Sequence, residues 1–208
     1  MNSSSKSVVL LQKIVRGHLC RKHLQKPKDQ MTFAIVSKLL ENYKNYNHQL
    51  QEINQFLLQK KKIRYHNFPS EISENIVKFV FFHKYKIMPT WDTQSGDLQY
   101  GNMLIEVKAF SSTGPTTFGP TERWDIIYFL DAMQFHKNFF KVYECRLKNT
   151  SHQWQQLKVN KTETYKDHCM KGRRPRLCFS NIFKQLGSHC KLIFEGDFHE
   201  KICICFEK

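Results

Sequence analysis

Asp97, Glu106 and Lys108 are the residues of this sequence whose types and spacing suit chemistry at a phosphodiester. Side chains two apart on a strand share a face. In the run Ile105-Glu106-Val107-Lys108, Glu106 and Lys108 therefore project together while Ile105 and Val107 turn toward a core. A hairpin at Tyr100-Gly101-Asn102 would fold Asp97 back beside Glu106. Two hard oxygen ligands could then hold Mg²⁺, with the Lys108 ammonium near an attacking water. An acid-x-Lys pair is also an ordinary same-face ion pair on an exposed strand, and Asp92 is a competing upstream acid.

Helices must come first and a sheet after them. Residues 8–26 carry Val8, Leu11, Val15 and Leu19 among basic residues, and Pro27 should end that helix. A second long helix is expected from about Met31 to Arg64, on the apolar positions Phe33, Val36, Leu39, Leu40, Tyr43, Leu50, Ile53, Phe56 and Leu57. Lys60-Lys61-Lys62 and Arg64 would close it, as cations at a helix carboxyl end or as phosphate contacts. A third helix follows Pro69, with Ser70 as its N-cap and Ile72, Ile76, Phe79 and Val80 on one face. From Thr93 the period changes to that of strands, near 95–99, 103–110, 124–131, 139–147, weakly 154–159, 191–194 and 201–206. One helix is expected between Phe179 and Leu186. That order predicts an α/β sandwich around a mixed sheet, with an N-terminal helical extension.

Composition limits the partners. The chain of 208 residues is 40% hydrophobic, enough for one substantial core with an appendage, and its net charge is +15. Residues 1–66 hold 13 Lys+Arg against 3 Asp+Glu, so most of the positive field comes from the first third. A polyanion is the expected partner. No signal peptide and no membrane-spanning run are legible, and seven cysteines without regular spacing do not form a disulfide framework. The expectation is an intracellular protein that is not secreted. His168, Cys169, Cys178, His189 and Cys190 offer no paired zinc spacing.

At Gly96-Asp97 and Ile105-Glu106-Val107-Lys108 the sequence resembles the PD-(D/E)XK nucleases. It resembles more closely a group of small type II restriction endonucleases, including copies carried by large DNA viruses of protists. The resemblance continues through Ser111–Thr121, Trp124-Asp125 and Tyr128–Asp131, and upstream through Phe68-Pro69-Ser70 to Asn75, covering roughly residues 65–208. It implies a restriction-endonuclease-like α/β/α fold, with Asp97 and Glu106 as Mg²⁺ ligands, the Val107 carbonyl as a further ligand, and Lys108 orienting the water. Glu74 matches an acid that supports such sites, and Glu71, one turn earlier, is its rival. Gly96 stands where the motif's name has proline.

The resemblance implies a sequence-specific endonuclease that cuts a short palindrome in double-stranded DNA as a homodimer, leaving 5′-phosphate ends. A cognate DNA methyltransferase is implied alongside it. It implies work inside a host cell, in cytoplasm or nucleus, or in a virion that packages the enzyme. Repair or junction resolution by the same superfamily is the alternative, and a non-catalytic DNA- or calmodulin-binding protein is another. Two segments suit DNA contact. The loop after Lys108 offers the hydroxyls of Ser111, Ser112, Thr113, Thr116, Thr117 and Thr121, and a basic loop offers Arg173, Arg174 and Arg176. A solvated basic loop is the plain alternative for the second.

Leu11-Gln12, Arg16-Gly17, Arg21 and Leu24 fill every position of the IQ pattern, by which a calmodulin-like protein grips a basic amphipathic helix. A basic helix packed on the core would read the same way. The expected division is an IQ-like helix at 1–27, a helical segment packing on or extending the core at 28–66, and the endonuclease core with its DNA-binding loops at 67–208.

Overall fold

The computed structural model describes residues 32–57, 62–91 and 97–199. The IQ-like helix with Gln12, Arg16 and Arg21, the residues Lys60, Lys61, Asp92 and Gly96, and the expected strand at 201–206 lie outside them. No helix among the described residues is long and apolar enough to cross a membrane.

Helix α1 (Phe33–Phe56) starts where the Thr32 hydroxyl accepts the Ile35 amide at 3.3 Å. It ends eight residues before the expected Arg64, and Lys62 and Arg64 lie outside any helix. The expected apolar stripe also fails after Leu50, which is buried. Ile53, Phe56 and Leu57 are exposed, and Asn47 and Asn54 are buried instead. Each buried amide finds a backbone partner. Asn47 donates to the Tyr43 carbonyl, and Asn54 pairs with both backbone groups of Ile63.

Helix α2 (Ser70–Tyr85) buries Ile72, Ile76 and Val80 and stops at Lys86, whose positive φ of 59° ends the turn. Pro69, not Ser70, occupies the N-cap. Ser70 is the first helical residue, and its hydroxyl turns to Glu71. Proline has no N–H to leave unpaired, and its fixed φ suits this position.

Six strands follow: β1 (Thr90–Trp91), β2 (Leu98–Tyr100), β3 (Met103–Phe110), β5 (Ile126–Gln134), β6 (Phe139–Cys145) and β8 (Cys190–Asp197). They lie in the order β1-β2-β3-β5-β6-β8, with β3 and β5 parallel and every other pair antiparallel. Two further strands, β4 (Thr116–Thr117) and β7 (Arg176–Leu177), form a separate ribbon. The expected weak strand at 154–159 is cut short: helix α3 (His152–Gln155), capped by the Ser151 hydroxyl at the Trp154 amide, takes its start, and Lys158 alone makes a bridge, to Thr164. Helix α4 (Tyr165–Met170), absent from the sequence reading, begins with a capping box between Thr164 and Asp167. Helix α5 (Phe179–Leu186) spans the expected residues.

The sheet is covered on both faces, giving the expected α/β/α layering. Ile105, Val107, Tyr128 and Leu130 join α1 and α2 in one core, while Ile127 and Phe129 join Trp154, Tyr165 and Ile182 in another. This is why β5 reads as an unbroken apolar run rather than an alternating one. Glu144 on β6 stitches the layers together. It accepts from the hydroxyls of Tyr85 at 2.5 Å and Tyr128 at 2.6 Å, and from Arg146 Nε at 3.0 Å.

Candidate active site

The hairpin expected at Tyr100-Gly101-Asn102 forms, with Gly101 at a φ of 57° that favours glycine. Its register pairs Leu98 with Ile105, which returns Asp97 to the middle of β3. The Asp97 amide donates to the Ile105 carbonyl at 3.1 Å, and its carboxylate Oδ2 accepts the Val107 amide at 2.7 Å. Beside it, the Lys108 ammonium contacts the Glu106 carboxylate. One local hairpin thus assembles both acids and the lysine.

The other edge of β3 is fixed by Asp125. Its amide donates to the Leu104 carbonyl and its carboxylate accepts the Leu104 amide, each at 2.9 Å. Buried Trp124 roots that turn in the second core.

Glu106 and Lys108 do face away from Ile105 and Val107, as the alternation requires, yet they do not meet open solvent. Glu106 is only 2% exposed, and Lys108 Nζ lies 5.7 Å from the Phe118 ring centroid. An ordinary exposed ion pair is therefore the wrong description. Burial raises the pKa values of Glu106 and Asp97, with the Lys108 charge opposing it at both. Asp97 and Glu122 raise Glu106 further, and the Val107 amide opposes the rise at Asp97. Burial draws the Lys108 ammonium down, but Glu106, Glu122 and Asp97 outweigh it and leave Lys108 raised. Glu74 on α2 is pushed up to about 8 by burial first, then by Asp97, Glu71 and Glu106. It shares the site's field, whereas Glu71 is exposed.

Glu122 was not legible as a site residue. Its Oε1 stands 3.4 Å from Lys108 Nζ, and its Oε2 is buried with no hydrogen-bond partner. Its carbonyl accepts from the buried Asn149 side chain at 2.5 Å. The one sequence signal is Gly119, since a Cβ there would come within 2.8 Å of Glu122 Oε1.

Among the described residues no three His, Cys, Asp or Glu converge as a ready-made metal cage. A small dication needs less, because Mg²⁺ binds through one or two carboxylates and keeps several waters. Asp97 and Glu106, with the Val107 carbonyl, offer only hard oxygen donors. Asp97, Glu106 and Glu122 share the single charge of Lys108, and one Glu122 oxygen is buried without a partner, so a cation would relieve a surplus of carboxylates. The donor set fits.

The two candidate DNA-contact segments are one unit. Thr117 pairs with Arg176 and Thr116 with Leu177, the Thr116 hydroxyl donates to the Leu177 carbonyl at 3.1 Å, and the Phe118 amide reaches the Pro175 carbonyl at 2.9 Å. Ser111, Ser112, Thr116 and Thr117 line a cavity of about 300 Å³ that also contains Lys108. Thr113, Thr121, Arg174 and Arg176 are exposed. Arg173 differs, because it and Lys171 are both drawn onto Glu163.

A family model for the Bsp6I restriction endonuclease matches residues 30–186, and one for the IQ calmodulin-binding motif matches residues 5–25. The type II restriction enzyme Bsp6I of Bacillus sp. (strain RFL6) is 31% identical over 112 residues, which cover 53% of this chain and 61% of that protein. The matched region thus spans about three fifths of the relative's length. No solved structure matches. With three quarters of its length matched, and with a mixed sheet between helical layers, this chain belongs to the Bsp6I restriction endonuclease family.

Proposed function

We propose that this chain is a Mg²⁺-dependent, sequence-specific endonuclease of the PD-(D/E)XK kind that cuts double-stranded DNA as a type II restriction enzyme. The observation that carries the reading is the β2–β3 register, which sets the Asp97 carboxylate on the Val107 amide between Glu106 and Lys108.

Asp97, Glu106 and the Val107 carbonyl would hold the cation, which when bound neutralises charge on the phosphate and lowers the pKa of a coordinated water. The protein does the rest by position. The Val107 amide fixes one Asp97 oxygen. Lys108 stays protonated between Glu106 and Glu122 and orients the nucleophilic water by donating to it. In-line attack on phosphorus then leaves 5′-phosphate and 3′-hydroxyl ends. Glu74 supports the carboxylates across the site.

A palindrome cut on both strands calls for two copies about a two-fold axis, so the working species is a homodimer. A methyltransferase of the same specificity would protect the host's own DNA. Residues 5–25 carry a second reading, in which a calmodulin-like protein grips Gln12, Arg16 and Arg21. A pull-down with calcium-free and calcium-loaded calmodulin tests that contact, and binding in neither state removes it.

The nuclease reading is tested by incubating purified protein with Mg²⁺ and plasmid or phage DNA and sequencing the fragment ends. Discrete fragments with a common end sequence are expected. A smear or a preference for branched DNA would point to repair instead, and retained binding without any cutting contradicts both enzyme readings.

A further inference from the structure

Upstream of the site, a groove of about 1280 Å³ lies between α1, the chain from Lys62 to Asn67, and the first serines after β3. Two fastenings make its wall. Asn54 accepts the Ile63 amide at 2.8 Å and donates to the Ile63 carbonyl at 3.0 Å, imitating a strand partner. The Tyr43 hydroxyl donates to the His66 carbonyl at 3.0 Å. Lys62 and Arg64, on either side of the pinned Ile63, are thereby exposed along the groove. On α1, His48, Gln51 and Gln55 recur at three- and four-residue steps, which puts them on one helical face lining the same space.

Among the described residues no acid lines the groove. Its lining shares Asn67, Ser111 and Ser112 with the smaller cavity that contains Lys108. A continuous polar path therefore joins the exposed cations to the site's ammonium. The chain's own first 31 residues are an unsuitable occupant, because they hold seven Lys+Arg against one acid and would meet like charge.

We propose that this groove is a DNA-contact surface, taking the sugar-phosphate backbone that flanks the scissile bond. Lys62 and Arg64 meet phosphates by charge, and Gln51 and Gln55 donate to backbone oxygens from the facing helix. The proposal rests on the nuclease reading and adds an upstream wall to a contact surface otherwise formed after Lys108.

The test is binding of a mixed-sequence duplex oligonucleotide without divalent metal, measured across a salt series for the full chain. Each phosphate neutralised contributes a slope of about −0.9 in log K against log salt. The double variant Lys62→Ala/Arg64→Ala should make the slope shallower by about 1.8, while Lys184→Ala/Lys191→Ala, exposed cations elsewhere, should not. Gln51→Ala/Gln55→Ala should weaken binding at an unchanged slope, since neutral donors release no counterions. Equal slopes for the wild type and the groove variant would overturn the proposal and leave the groove to another occupant. An equal loss in the control pair would also overturn it, by showing diffuse charge. Plasmid cleavage by the wild type, run alongside, separates the two claims. Binding with the expected slopes but no cutting removes only the nuclease reading, and no wild-type DNA binding removes both.

Discussion

Lys108 is held between two carboxylates, Glu106 and Glu122, and only the first was legible in the sequence. Glu106 could be found because strand alternation puts it on the lysine's face two residues away. Glu122 lies 14 residues further on, beyond a loop, and no period connects it to the strand. Its place is visible only in the folded chain, where Gly119 leaves the space its carboxylate fills. If Glu122 positions the ammonium, Glu122→Gln should slow single-turnover cleavage about tenfold, equivalent to ~1.4 kcal/mol, without changing DNA affinity. Gly119→Ala should show the same defect, because its Cβ displaces the carboxylate. Cleavage at the wild-type rate by both variants would remove Glu122 from the site. The return of Asp97 to β3 was legible for a local reason: a glycine turn and a short antiparallel register fix it, and both are encoded within a dozen residues.

At the scale of elements, α5 was readable because its helical spacing matches the burial of Ile182 and Leu186, and β3 because alternation sends Ile105 and Val107 to one core, although Glu106 on the other face is buried as well. Helix α1 was read too long because its apolar spacing persists past Phe56, while the folded chain buries Asn47 and Asn54 through side-chain hydrogen bonds. The β4–β7 ribbon was illegible for a different reason. It is two residues wide and joins positions 61 apart, so neither strand carries a pattern of its own. Thr116→Val should loosen that ribbon and raise protease sensitivity near Arg176 before the rest of the fold opens. Protection equal to wild type would contradict it.

Glu144 ties α2, β5 and β6 together, and its titration sets an acid limit on stability. Burial opposes its charge, but Arg146, Tyr128, Tyr85 and Lys84 outweigh burial and depress its pKa. A depressed carboxylate contributes stability that is present above its unfolded value, near ~4.3, and is lost as pH falls through the lower folded value. Glu144→Ala should cost about 1–3 kcal/mol at neutral pH, because it strands the buried Tyr128 hydroxyl while the more exposed Arg146 and Lys84 can turn to water. Urea unfolding as a function of pH should show this deficit shrinking as the solution is acidified below that range. A deficit independent of pH would mean that the carboxylate charge contributes nothing.

For the whole molecule, the order of helices and strands was enough to expect a mixed sheet between helical layers, and the chain has one. The strand order was not readable, since only the parallel β3–β5 pair and the distant return of β8 beside β6 decide it. Net charge of +15 pointed to a polyanion without saying where it lies. In the folded chain the candidate contacts are the ribbon downstream of Lys108 and the groove upstream of it. The homodimer expected for a palindromic cutter is checked by sedimentation equilibrium with and without DNA, and a monomer under both conditions would contradict it. The most direct measurement for the central claim is Mg²⁺-dependent cleavage of plasmid DNA by the wild type beside Asp97→Ala and Lys108→Ala, all shown to be folded by thermal melting. Discrete fragments are expected from the wild type and none from either variant. Undiminished cutting by either variant would contradict that claim.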